Sequence, residues 1–170
     1  MITEDAVELL RKVQKALREH PGQFDMDRWF YDPTADVDDE PEEDAWGRIM
    51  VEDPNLVPDV PLVKTLTGSC GTTACIGGWA VALAGERVRP GLSIQTEAER
   101  LIGWVREPST NEGCSAERWL NNCPLFHVAR WPGTLLDRYC GAKDGSAEQA
   151  GVACIAIDRW IEAGGDPDLF

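Results

Sequence analysis

The chain has 170 residues and sets 16 lysines and arginines against 30 aspartates and glutamates, a net charge of 16 − 30 = −14 at pH 7. So acidic a chain repels nucleic acid and anionic membrane, whose recognition needs a basic face. With 43% hydrophobic residues and seven tryptophans it can offset the ordering entropy that keeps polar chains unfolded, and its length fits one globular domain spanning residues 1–170.

The first segment, MITEDAVELL, carries acids where a secretory signal carries lysine or arginine, so no export is expected. Six cysteines in such a chain are expected as reduced thiols in a cytoplasm rather than as a disulfide framework. From Thr3 onward, Ala6, Leu9, Leu10, Val13 and Leu17 recur at the three-and-four spacing that lines one face of a helix, with Glu4 and Asp5 at its positive end. Pro21–Gly22 stops it. His20, beside that stop, suits the negative end of the helix and reads as structural. FDMDRWF crowds Phe24, Met26, Trp29 and Phe30 into one short helical turn against a core.

The composition then changes. DPTADVDDEPEEDAW is acidic, broken by Pro33 and Pro41 and without apolar periodicity, which predicts an exposed loop. Asp36, Asp38 and Glu40 alternate as calcium ligands do, but the glycine a calcium loop needs for its sharp turn is absent. Three prolines in VEDPNLVPDVPLVKTL predict a stretched continuation, so residues 32–63 form an acidic, proline-containing connector.

That connector leads to TGSCGTTACIGGWAVALAG. The apolar run Ala74–Ala84 is too short to span a bilayer and predicts a buried helix, capped by Thr72 or Thr73 and closed by Gly85 in the left-handed conformation. Gly77 and Gly78 each cost about 1 kcal/mol relative to alanine inside a helix. Close approach of another backbone is the expected compensation, with Trp79 filling the adjacent core.

Three further helices follow. Thr96 and Glu99 read as a capping box ahead of Ala98, Leu101 and Ile102, closed by Gly103; Ser115 opens a shorter one through Trp119 and Leu120. Ser146 and Gln149 form another box before Ala150, Ala153, Ile157, Trp160 and Ile161, ended by Gly164–Gly165. No segment alternates as a strand does, and Pro90 argues against a hairpin at Val88–Ile94. The expected fold is mostly α: one compact helical domain with long irregular connectors.

In order along the chain, LLRKVQKALREHPGQFDMDRW, CGTTACIGGWAVALAG, PLFHVARWP and AIDRWIEAGG resemble a family of uncharacterised proteins from actinobacteria and their phages. Gly77 stands where that family usually has alanine. The resemblance implies an intracellular, phage-encoded type of protein with no activity to carry over. CGTTACIGGWAVALAG is also similar, more weakly, to the nucleophile region of papain-like and bacteriocin-processing cysteine peptidases. That similarity implies Cys70 as nucleophile at a helix start and His127 as base, although PLFHVARWP lacks the strand that usually presents such a histidine.

Two other chemistries are open. Cys70, Cys75, Cys123 and His127 make a zinc-compatible set at loose spacing, against the reading of the cysteines, Cys154 above all, as small buried hydrophobes. A short-loop disulfide between Cys70 and Cys75 is disfavoured by a reducing cytoplasm. Arg87, Arg89 and Arg106 are the basic residues that a small-ligand site, for a signalling nucleotide, would draw on. The leading reading is a non-enzymatic accessory protein without a cofactor. Its acidic residues Asp36, Asp38, Asp39, Glu40, Glu42, Glu43 and Asp44 engage a host protein with a basic surface, with no role for nucleic acid or membrane.

Overall fold

The computed structural model describes residues 2–26, 74–85, 94–104 and 123–170. Among them are five α-helices: α1 (Glu4–Glu19), α2 (Ile76–Ala84), α3 (Ile94–Leu101), α4 (Gly133–Gly141) and α5 (Ala147–Glu162). Three single 3-10 turns, Pro21–Gln23, Pro124–Phe126 and Val128–Arg130, connect or flank them. The fold is mostly helical, as expected. The 32–63 connector, Trp29, Phe30, the 115–120 helix and the hairpin stretch 88–93 lie outside the described residues.

Helix α1 forms as its pattern predicts. Thr3 accepts a hydrogen bond from the Ala6 N–H at 3.2 Å, Glu4 and Asp5 occupy the first turn, and Ala6, Leu9, Leu10, Val13 and Leu17 are all buried. Its long partner α5 runs antiparallel to it. The Ile2 N–H donates to the Gly164 carbonyl at 2.8 Å at one end, Arg11 pairs with Asp158 midway, and at the other end Gly145 lies beside Gly22. The seam also holds a buried amide that apolar periodicity does not reveal. Gln14 Nε2 donates to the Cys154 carbonyl at 2.8 Å, and the Cys154 thiol donates back to the Gln14 carbonyl at 3.6 Å.

Helix α2 is apolar on every side and buried from Ile76 through Ala82. A helix without a polar face needs neighbours all round; α1 and α3 supply two of them, and α4 packs on α5 to extend the same core. Gly77 and Gly78 are buried within α2, and Trp79 beside them is fully buried, its ring stacked on His20 at the end of α1. The chain enters α2 through an isolated parallel bridge between Phe24 and Ala74, in which Ala74 N–H donates to the Gln23 carbonyl at 3.0 Å and Asp25 N–H to the Ala74 carbonyl at 3.2 Å. Phe24 is therefore extended rather than part of a helical turn, because its backbone is engaged by a segment fifty residues on.

Three caps differ from the sequence pattern. Helix α2 begins at Ile76, two residues later than the apolar run suggests, and its N-cap is Cys75, whose sulfur accepts the Gly78 N–H at 3.4 Å. Thr96 lies inside α3 rather than ahead of it, since that helix already begins at Ile94. Ser146 caps α5 by accepting the Gln149 N–H at 3.2 Å, but Gln149 reaches back to the Gly145 N–H at 3.0 Å. The Ser146 N–H is already committed to the Lys143 carbonyl. The expected glycines do close their helices: Gly85, Gly103, Gly164 and Gly165 all have positive φ, between 64° and 79°.

Two aromatic joints complete the core. Tyr139 of α4 accepts the Met26 N–H through its hydroxyl at 3.2 Å and meets Phe24 and Trp131 edge-on. Trp160 of α5 sits between Trp104 and Phe170. Leu10 and Leu17 are wholly enclosed at the junction of α1 with its neighbours. Truncating either to alanine leaves a cavity and is expected to cost roughly 2–5 kcal/mol. Urea unfolding should show this as a lower midpoint at unchanged slope.

Candidate functional site

The sequence places its reactive candidates around α2 and in the segment 123–130, and the structure brings the second of these against α3. Cys70 lies outside the described residues, as do Asp36, Asp38, Asp39, Glu40, Glu42, Glu43 and Asp44 of the acidic segment and Arg87, Arg89 and Arg106. Cys75, Cys123 and His127 are described, and each has a defined partner.

Cys75 occupies the position at which a helix stabilises a thiolate, with the Gly78 N–H directed at its sulfur. Burial opposes this and wins. The thiol is pushed up to about 12, because desolvation of the anion outweighs the backbone N–H groups of Gly77 and Gly78. Cys75 is a free thiol. Its role is that of a hydroxyl at an N-cap: a weak acceptor for one orphan amide, in a place too apolar for serine to be solvated.

Cys123 opens the Pro124–Phe126 turn and is buried, which raises its thiol far above the ordinary range; the Glu99 carboxylate pushes the same way and Arg130 opposes it. Burial likewise raises Cys154 in the α1–α5 seam. All three are held as neutral thiols, which matches their reading as small hydrophobes.

What surrounds Cys123 is more polar than the sequence pattern suggests. The single helix α3 buries two glutamates, Glu97 at 0% and Glu99 at 2% exposure. Glu97 receives Arg100 through both Nε at 2.9 Å and Nη2 at 2.6 Å. Glu99 Oε1 accepts the Cys123 backbone N–H at 3.2 Å and Gln95 Nε2 at 3.0 Å, and the same Gln95 nitrogen lies 3.4 Å from His127 Nε2. His127 is half-buried between the two 3-10 turns. Glu99, read from the sequence as a cap partner of Thr96, thus serves instead as the anchor of a distant segment. Gln95 is one helical turn before it, an i,i+4 spacing that marks the two as neighbours on one face, but nothing local indicates that the face is buried.

Among the described residues, no three histidine, cysteine or carboxylate side chains converge so as to hold a metal ion, and Cys75, Cys123 and His127 do not form such a group. No described helix is long and apolar enough to cross a membrane. The described residues do assemble one feature that no local segment contains. The Ile2–Gly164 hydrogen bond sets the start of α1 beside the end of α5, so exposed Glu4 and Asp5 share one end of the bundle with exposed Glu162, Asp166 and Asp168. Leu169, 73% exposed, lies in the same C-terminal turn. Neither residues 2–10 nor residues 160–170 include a lysine, arginine or histidine.

No family model, curated protein or solved structure matches the chain.

Two outcomes follow from the thiol environments. In the folded protein near pH 8, iodoacetamide should modify the exposed Cys140 readily and leave Cys75 and Cys123 untouched until the chain unfolds, as peptide mass spectrometry would show. Alkali should destabilise the fold. The thiol form is favoured in the folded state, while an unfolded thiol ionises near its ordinary value of 9.0. The contribution of Cys75 is therefore intact below about pH 9 and lost as pH rises toward 12. Cys123 and Cys154 act in the same direction, so the melting temperature should fall across that window, and Cys75→Ser should flatten the dependence.

Proposed function

We propose that the protein is a non-enzymatic binding protein that engages a host protein with a basic surface through Asp36, Asp38, Asp39, Glu40, Glu42, Glu43 and Asp44. The observation that carries this reading is charge without counter-charge: eight of the fifteen residues in DPTADVDDEPEEDAW are acidic and none is basic. Such a field steers an oppositely charged partner into encounter and repels nucleic acid. The acidic end formed by Glu4, Asp5, Glu162, Asp166 and Asp168 adds negative surface from the helical body itself.

The described thiols are compatible with the same reading. A cysteine nucleophile needs its thiolate, and Cys75, Cys123 and Cys154 are all shifted toward the neutral form, which sets these three aside as nucleophiles; Cys70, the nucleophile of the alternative reading, lies outside the described residues. In this proposal the partner belongs to a bacterial host and the protein acts in its cytoplasm, the reading that the resemblance to actinobacterial and phage proteins implies.

The test is capture from an actinobacterial lysate by the immobilised full chain, beside a variant with the seven acids replaced by asparagine and glutamine. The wild type should retain a basic protein. The variant should bind it at least about tenfold more weakly, ~1.4 kcal/mol, and raising salt from about 0.1 M to about 0.5 M should mimic the substitution by screening. Equal capture by both chains at both salt concentrations would remove the basis of the proposal.

A further inference from the structure

Gln95 Nε2 stands between Glu99 Oε1, at 3.0 Å, and His127 Nε2, at 3.4 Å. Which way the amide is turned follows from its first neighbour. A carboxylate oxygen accepts and never donates, and Glu99 Oε1 is already accepting the Cys123 N–H. The group Gln95 presents to it is therefore the NH2; the flipped amide would set two acceptor oxygens against one another at hydrogen-bond distance.

The same NH2 faces the ring. An amide nitrogen has two hydrogens to give and no lone pair to offer, so the imidazole nitrogen opposite it must be the acceptor. A neutral imidazole that accepts at Nε2 carries its hydrogen on Nδ1. In water an imidazole favours the opposite arrangement.

We infer that Glu99, acting through the Gln95 amide, locks His127 as the neutral Nδ1–H tautomer and so fastens the 123–130 segment to α3 at two points from a single carboxylate. One point is the Cys123 backbone N–H, taken directly; the other is the His127 ring, taken through Gln95. His127 is then a positioning residue. In the Ser-His-Asp arrangement a carboxylate oxygen accepts the Nδ1–H and leaves Nε2 to take a proton; here Nε2 receives a donor, which opposes that use of the ring. The inference does not depend on the proposed partner.

The readout is the tautomer itself, which a merely space-filling role would not fix. With only two histidines in the chain, long-range proton–nitrogen NMR of the full-length, nitrogen-labelled protein above about pH 8 resolves both rings, and His127→Gln identifies which signals belong to His127. The wild type should show a protonated Nδ1 and an unprotonated Nε2. Gln95→Leu removes the donor at a half-buried position and should return His127 to the Nε2–H form as the major species. Glu99→Gln should keep the wild-type tautomer, because a carbonyl oxygen at that place still orients both donors. A wild-type ring protonated mainly on Nε2 would overturn the inference, as would a Gln95→Leu spectrum identical to wild type. Should the leucine variant fail to fold, the wild-type spectrum decides alone.

Discussion

The rest of the structure depends on the burial of α2. Ile76–Ala84 is apolar around its whole circumference, and a helix of nine residues is too short to persist in water alone. It is stable only where something covers every side, and the described elements are arranged to do so: α1 on one flank, α3 on another, and the Pro124–Phe126 turn against it. The two glycines at its start, each a poor choice for an isolated helix, sit inside this enclosure. The stack of His20 on Trp79 ties the end of α1 to the middle of α2, so the helix with the clearest amphipathic pattern positions the helix with none.

A core closed this tightly must satisfy whatever polar atoms it takes in, and here two of the buried polar side chains, Gln14 and Glu99, join segments distant in sequence, while Gln149 makes a local joint. Gln14 binds α1 to α5, Gln149 binds α5 to the turn before it, and Glu99 binds α3 to the residues after Cys123. Each accepts from or donates to backbone, and for the Cys123 N–H taken by Glu99 an unmade bond at that buried place would cost about 1–3 kcal/mol. Among the described residues the exceptions include the indole N–H groups of Trp79 and Trp160, buried without a hydrogen-bond partner. Their rings are among the largest fully enclosed side chains, so the area they remove from water weighs against the lost hydrogen bond.

The same enclosure bears on chemistry. A thiol at a helix N-terminus is the usual route to a reactive cysteine, yet at Cys75 the cost of desolvating an anion exceeds what the backbone N–H groups return. Position along a helix and depth in the core pull in opposite directions, and depth decides. Charge is instead concentrated on the outside, where antiparallel packing of α1 on α5 joins two short acidic stretches from opposite ends of the chain into one negative end of the bundle. Among the described residues, neutral thiols thus lie inside and carboxylates of both chain-terminal helices outside.

Periodicity and local start and stop signals sufficed for α1 and α5, for the stop at Pro21–Gly22, for the Ser146 cap and for the closing Gly164–Gly165, because each of these depends on residues within one or two turns. The burial of Trp79 and the mostly helical fold were legible for the same reason. Local pattern misplaced the start of α2, where Thr72 or Thr73 was the expected cap, because Ala74 is drawn into a bridge with Phe24 and leaves Cys75 as the cap. It also misread Glu99 as a partner of Thr96, since a glutamate on a short helix is ordinarily solvated and only the arrival of Cys123 and His127 makes it a buried acceptor. Tertiary structure alone fixed the protonation of the thiols, the orientation of Gln95 and the acidic end of the bundle. The thiols and the acidic end are set by neighbours far away in sequence, and Gln95, though turned by Glu99 four residues on, meets His127 only because the 123–130 segment is brought against α3; the free energy of a charge or a hydrogen-bond donor is determined by what surrounds it in space.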